Sequence, residues 1–301
     1  MYIGIDVGGT AIKAILLKDN DIVKYERIPN NTETKETVLN EIKNIINLIA
    51  TKSELKQIEA IGLSIAGQVD YKNGILINSP NIPIKNFNFH NFFMENYNKP
   101  SYIDNDVNCA AIAESSVYPL DTTQLFIFLG TGIGGAAIMN GELIRGSNNL
   151  GMEIGHLTYK DNTLKCGCGK QGCYEAYAGA KNLIRIYKEA TGLNKEIEIT
   201  AKDIENDYLN KKEPGYSIFK ESLNALSILT NDLITVLDPE YIVFGGGVIE
   251  LSNIIMDNIK SYIKNKVRFS DFENLKFKKS VFKDKSNAYG SIIGYMNNKH
   301  F

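Results

Sequence analysis

What the chain does not have narrows its possible roles first. It has no basic excess: 33 Lys and Arg stand against 35 Asp and Glu, a formal net charge of -2. A protein that binds a nucleic-acid backbone usually needs a positive face, so no nucleic-acid partner is expected. It has no long apolar run. Gly, Asn or a charge interrupts each stretch well short of the roughly 20 residues that span a bilayer, so no membrane partner is expected. It has no secretory signal at its start, because Met1-Tyr2-Ile3-Gly4-Ile5-Asp6 lacks a basic segment and Asp6 breaks the apolar run. A cytoplasmic location is therefore expected. It has few cysteines, 4 in all. Cys166, Cys168 and Cys173 crowd into one glycine-rich segment while Cys109 stands apart, which argues against paired disulfides and for metal ligation in a reducing compartment. Low-complexity linkers are absent too, so any lobes should be directly apposed.

At 301 residues the chain exceeds what one hydrophobic core usually holds, and two lobes are the default. The pattern places the first over 1–118, completed by a C-terminal helix within 286–301, and the second over 119–285, with the cysteine segment inside it. Tyr2 to Val7 reads as a strand, Gly8-Gly9-Thr10 as a tight turn and Ile12 to Leu17 as the returning strand. A second hairpin of the same kind runs from Leu125 to Leu129, through Gly130-Thr131-Gly132-Ile133-Gly134-Gly135, to Ala136–Met139 and the turn Asn140-Gly141. Two similar hairpins imply two similar lobes.

Between the hairpins, Val38, Ile42, Ile45 and Ile49 recur at helical spacing, and Ala60 to Ile65 reads as a buried strand. Ser101 to Asn108 carries a short strand into a helix expected over Asn108–Ser116, ended by Tyr118-Pro119. Further on come a helix over Phe219–Leu237 stopped by Asp238-Pro239, a strand over Tyr241–Phe244, Gly245-Gly246-Gly247, a helix over Ile249–Lys264, and a small-faced helix over Ala288–Met296. His90 and His300 read as ordinary core or surface residues, and Cys109 as a small apolar residue in its helix.

Five segments carry chemistry. Asp6-x-Gly8-Gly9-Thr10-x-x-Lys13 sets a carboxylate, exposed backbone N–H groups, a hydroxyl and an ammonium in one short stretch. These are partners for phosphate and Mg²⁺, although an ordinary hairpin turn would have the same letters. Gly130-x-Gly132-x-x-Gly135 matches the dinucleotide fingerprint, but that motif must open a helix, and here the chain continues as a strand. A second phosphate-holding turn at Gly130, Thr131 and Gly132 is the better account. Gly245, Gly246 and Gly247 lie between a strand and a helix, where backbone can approach a flat adenosine closely, or where they form a plain flexible connection. Asp104-Asn105-Asp106-Val107-Asn108 concentrates side chains able to bind hydroxyls before a helix. One of them should cap that helix, and at least one other should face a ligand as a proton acceptor. Last, His156 of Glu153-Ile154-Gly155-His156 and the three thiols of Cys166, Cys168 and Cys173 make a Cys₃His set, the usual composition of a structural Zn²⁺ site.

These motifs, in this order and over nearly the whole chain, resemble the ROK family of bacterial sugar kinases and sugar-responsive repressors. The resemblance implies an α/β, two-lobed actin-like (ribonuclease-H-like) ATPase fold with sugar and ATP in a central cleft. It implies ATP-dependent phosphorylation of a hexose or N-acyl-hexosamine at the 6-hydroxyl, with glucose and N-acetylmannosamine as first candidates and a homodimer as the assembly. Asp106 would be the general base, and Asn105, Asp106, Glu153, His156, Glu175 and the backbone of Gly67 would hold the sugar. His156 would serve zinc and sugar at once. Asp6 through Mg²⁺, with the turns at Gly8, Gly9 and Thr10 and at Gly130 to Gly132, would hold the phosphates. Two departures border the expected sugar pocket: Ala66 stands where a proline is usual before Gly67, and Met152 where a glycine is usual before Glu153. They leave the identity of the sugar open. A sugar-sensing regulator of the family would carry a DNA-binding segment ahead of the first hairpin, and a zinc-stabilised sugar binder without catalysis would not need Asp6 and Asp106. An enzyme is the expectation.

Overall fold

The computed structural model describes residues 1–194, 196–252, 254–264, 266 and 274–298; His300 and the last three residues of the expected 286–301 helix lie outside them. In chain order the elements begin with β1 Tyr2–Val7, β2 Ala11–Lys18, β3 Asp21–Pro29, α1 Lys35–Ile49, α2 Lys52–Gln57 and β4 Ala60–Ile65. Then come β5 Gln68–Asp70, β6 Ile75–Asn78, β7 Phe87–Asn88, α3 Phe89–Tyr97, β8 Ser101–Asn105 and α4 Asp106–Ser115. β9 Gln124–Leu129, β10 Ile133–Met139, β11 Glu142–Leu143, a 3₁₀ turn at Ile154–His156, α5 Tyr174–Ala178, α6 Ala180–Thr191, α7 Ala201–Leu209 and α8 Gly215–Leu237 follow. The chain closes with β12 Tyr241–Gly245, α9 Gly247–Leu251, α10 Ile255–Lys264, β13 Lys276–Lys279 and α11 Ser286–Asn298. It divides into two compact units: Met1–Pro119 with Arg145–Gly151 and Val281–Phe301, and Leu120–Ile144 with Met152–Ser280.

The first unit is built on a sheet of order β3-β2-β1-β4-β8. β1 and β2 form the antiparallel hairpin, and β4 and β8 add in parallel. Every residue of β4 is buried, as parallel strands covered on both faces require. At the edge, β3 has no buried residue at all. Its charges suit an exposed edge, and they hide it from a reading based on apolar pattern. α1 buries Val38, Ile42, Ile45, Ile46 and Ile49 and starts at a Thr34–Thr37 capping box. Glycines let α11 settle onto this frame: a Cβ at Gly4 would overlap the Ala288 carbonyl, and one at Gly290 the Cys109 carbonyl in α4.

The second unit repeats the arrangement as β11-β10-β9-β12-β13. β9 and β10 are the antiparallel hairpin, and β12 and β13 extend it in parallel. Its core gathers around α8, which buries Phe219, Leu223, Leu226, Leu229 and Leu233. Two local expectations need correction here. The turn between β9 and β10 is shorter than six residues, because Ile133, Gly134 and Gly135 already pair with Leu129, Phe128 and Ile127. Gly135 is there for packing, with Ile154 where its Cβ would be. The expected single helix over Ile249–Lys264 is two, α9 and α10. Buried Ser252 separates them, its Oγ accepting the N–H groups of Ile254 and Ile255, both at 3.3 Å. Among the described residues no helix is long and apolar enough to cross a membrane.

Replacing Gly290 with alanine is expected to lower the unfolding free energy by about 1–3 kcal/mol, the usual cost of overpacking. Urea denaturation checks this, and an unchanged midpoint would mean that α11 does not pack on α4 at glycine distance.

Candidate active site

In the first unit, register makes the first motif. Asp6 and Lys13 are cross-strand partners of the β1–β2 hairpin, with Lys13 Nζ 3.7 Å from Asp6 Oδ2. The other oxygen, Oδ1, accepts from Ser64 Oγ at 3.2 Å and from Asn287 Nδ2 at 3.1 Å. Burial raises the Asp6 pKa, while Lys13, Asn287 and Ser64 act to lower it. The turn itself is held by Asn30, a residue sequence reasoning missed. Its Nδ2 donates to the Gly8 carbonyl at 2.6 Å and its backbone N–H to the Thr10 carbonyl at 3.0 Å. The Gly8 N–H closes the turn on the Ala11 carbonyl at 3.0 Å, which leaves the turn able to present the N–H groups of Gly9 and Thr10 to an anion. Asn30 sits in a polar stretch with no periodic signal, so nothing local points to it.

The run Asp104–Asn108 divides its tasks. Asn105 is the N-cap of α4: its Oδ1 accepts from the N–H groups of Val107 at 2.9 Å and Asn108 at 3.2 Å. Its Nδ2 donates to the Gly67 carbonyl at 3.0 Å, so two expected sugar-binding residues meet. Gly67 has a φ of 140°, open to glycine and rarely to other residues. Asp104 is buried. Its Oδ1 accepts the Asn105 N–H at 2.8 Å and Asn108 Nδ2 at 3.1 Å, and its Oδ2 accepts the Tyr102 hydroxyl at 2.6 Å. Arg145 Nη1 lies 2.6 Å from that same Oδ2. Burial, with Asp104 adding to it, holds the Tyr102 hydroxyl well above its ordinary pKa, so it stays a donor. α4 starts at Asp106, two residues ahead of the expected Asn108. Half-buried Asp106 therefore stands in the first turn of α4.

In the second unit the β9–β10 turn is braced from α6. The Gly130 and Thr131 carbonyls accept the N–H groups of Ala180 and Lys181, both at 3.1 Å, and Gly130 N–H donates to the Gly132 carbonyl at 3.0 Å. Glu175 lies against this turn. Its Oε2 accepts the Ile133 N–H at 3.0 Å, and a Cβ on Gly132 would overlap its carboxylate. Gly245 and Gly246 lie along β9, next to Phe128 and Leu129, where side chains would not fit; packing alone accounts for both glycines. Met152 adopts a φ of 63°, a left-handed conformation that glycine holds more easily, which gives the departure from the family pattern a physical cost.

His156, Cys166, Cys168 and Cys173 come together in the same unit, with one ligand atom from each within 4.8 Å of the others. Cys168 Sγ is 3.8 Å from Cys173 Sγ, and Cys166 Sγ is 3.7 Å from His156 Nδ1. A tetrahedral centre with metal–sulfur bonds of about 2.3 Å has edges of about 3.8 Å, so the donor set fits a metal by both chemistry and spacing. Burial pushes the Cys166 thiol up to about 12 and raises that of Cys173; a coordinated cation would ionise both. Nδ1 is the His156 nitrogen turned to the thiols. The Cys166 thiol also donates to Glu175 Oε1 at 3.6 Å, which joins the metal cluster to the glycine turn.

Two sheets of one strand order, each opening on a braced glycine hairpin, define an α/β protein of the actin-like, ribonuclease-H-like ATPase class expected from the sequence. The ROK family profile matches residues 2–295, and the chain belongs to that family. It is 30% identical over 285 residues to a glucokinase of Halalkalibacterium halodurans, covering 87% of this chain and 85% of that one. It is 25% identical over 305 residues to a xylose repressor of Caldicellulosiruptor bescii, covering 96% of this chain and 76% of the repressor. Among solved structures, it is similar to a ROK family glucokinase from Streptomyces griseus in complex with glucose and AMPPNP. The TM-score is 0.79 and the identity 26%, over 96% of this chain and 97% of that one.

Co²⁺ added to chelator-treated protein is expected to give the intense absorption of a tetrahedral thiolate complex, and Cys173→Ser to abolish it. Its absence from the unsubstituted protein would separate these four residues from metal binding.

Proposed function

We propose that this protein is an ATP-dependent sugar kinase that phosphorylates the 6-hydroxyl of a hexose or N-acyl-hexosamine, with Asp106 as general base. The observation that carries this reading is the division of labour at the start of α4. Asn105 caps the helix and binds the Gly67 carbonyl, so capping does not explain Asp106. The family and the glucokinase with glucose and AMPPNP supply the chemical context.

In this mechanism Asn105, Glu153, His156, Glu175 and the Gly67 backbone orient the sugar. Asp106 accepts the 6-hydroxyl proton as that oxygen bonds to the γ-phosphorus of ATP and ADP departs. The N–H groups of Gly9 and Thr10 and of Thr131 and Gly132 take phosphate oxygens, Gly8 and Gly130 close the two turns through their own N–H groups, and Lys13 adds positive charge. The adenosine would approach the backbone of Gly245 and Gly246 at the following Gly247, where no atom lies within 4 Å of a Cβ position. Asp6 would hold Mg²⁺, which when bound offsets the charge of the phosphates. His156, Cys166, Cys168 and Cys173 would hold a structural Zn²⁺, leaving His156 Nε2 for a sugar hydroxyl. Glucose is the first candidate substrate and N-acetylmannosamine the second, and the proposed setting is a cytoplasmic homodimer.

Sugar-dependent ADP release across a hexose panel tests the activity and separates an enzyme from a regulator or a non-catalytic binder; no release with any hexose would overturn the proposal. Asp106→Asn is expected to lower kcat by at least about 100-fold while calorimetry still detects sugar binding. Near-normal turnover would remove Asp106 from the chemistry.

A further inference from the structure

Arg145–Gly151 belongs to the first unit, although the chain on either side of it belongs to the second. One side chain anchors it. The Arg145 guanidinium, 14% exposed, lies 2.6 Å from Asp104 Oδ2 by Nη1 and donates from Nη2 to the Tyr102 hydroxyl at 2.9 Å. Its plane covers the Tyr71 ring, 3.8 Å from the centroid. The segment closes on itself through the Gly151 N–H, which donates to the Arg145 carbonyl at 2.8 Å. Gln68, next to Gly67, donates to the Asn148 carbonyl at 3.1 Å.

What Arg145 grips leads straight to α4. One oxygen of Asp104 faces Arg145 and Tyr102, and the other accepts from the Asn105 N–H and the Asn108 amide. Rotation of that carboxylate would loosen all of these bonds together. A buried ion pair is weak support for stability, because desolvation offsets most of its Coulombic gain. The same pair is strong support for geometry when the guanidinium is held at three points, by the ion pair from Nη1, the Nη2 hydrogen bond to the Tyr102 hydroxyl and the Tyr71 ring. We infer that Arg145 is a positioning residue for phosphoryl transfer: by locking Asp104 it fixes the backbone of Asn105 and the first turn of α4, and with them Asp106 and the Asn105–Gly67 contact. This rests on the kinase reading above.

The test compares Arg145→Lys and Arg145→Met with the unsubstituted full chain in melting temperature, kcat, and KM for sugar and for ATP. The lysine variant keeps Asp104 paired but loses the Nη2 bond to Tyr102 and the stacking on Tyr71. It is expected to melt near the parent, with kcat at least ~10-fold lower, since a misplacement of about 1 Å can cost ~100-fold. Its sugar KM should rise while its ATP KM stays within about twofold. The methionine variant should lose more activity. A folded lysine variant with kcat and sugar KM near the parent would overturn the inference. So would Arg145 variants in which melting temperature and kcat fall together while the sugar and ATP KM values change alike, since that pattern marks a purely structural role. The parent is the control: if it has no activity the kinase reading fails, whereas an active parent with an unaffected lysine variant sinks the Arg145 inference alone.

Discussion

The start of α4 depends on a carboxylate that is not itself proposed to react. Asp104 is nearly closed to solvent, yet it is surrounded by Arg145, the Tyr102 hydroxyl, the Asn105 N–H and the Asn108 amide. A buried carboxylate must be satisfied in this way or give up its charge. Satisfying it sets the peptide at Asn105 and the amide of Asn108, and leaves Asn105 to do two further things: cap α4 and hold Gly67. Asp106 then has its backbone position fixed by neighbours on both sides. The order of causes runs from burial, to hydrogen-bond satisfaction, to placement of the next residue in the chain.

The same economy recurs in the two glycine hairpins. In each, the carbonyls of the turn are engaged from elsewhere in the same unit: by Asn30 in the first, and by the N–H groups of Ala180 and Lys181 in the second. Glycine supplies the tight geometry, and the bracing residue decides which way the peptides face. The geometry of each turn is thus a composite of a local motif and a distant clamp. Glu175 extends this in the second unit, touching the Gly132 turn on one side and the Cys166 thiol on the other.

Much of this was legible in the sequence where one residue type carries one physical signal. The buried strands β1 and β4 and the stripe of α1 announced themselves by apolar pattern. The Cys₃His group was evident from donor type and spacing, and the Asp6–Lys13 pair is the cross-strand neighbour of a tight hairpin. What stayed hidden depends on long-range partners. Arg145 looks like one charge after a turn, Asn30 like one polar residue in a loop, and Asn287 like an ordinary helix start; each matters only through what the fold brings beside it. The start of α4 was misplaced because Asp104, Asn105 and Asp106 are all plausible caps, and only the geometry distributes the roles. The break at Ser252 was missed because a serine within an amphipathic pattern reads as helix unless its Oγ is seen capping Ile254 and Ile255.

The central claim is geometric, and a crystal structure with glucose and a non-hydrolysable ATP analogue tests it most directly. The account predicts an Asp106 carboxylate oxygen at hydrogen-bond distance, about 2.6–3.2 Å, from the sugar 6-hydroxyl, with that oxygen aimed at the γ-phosphorus. A bound sugar whose 6-hydroxyl faces another group, with the Asp106 carboxylate turned away from it, would contradict the account.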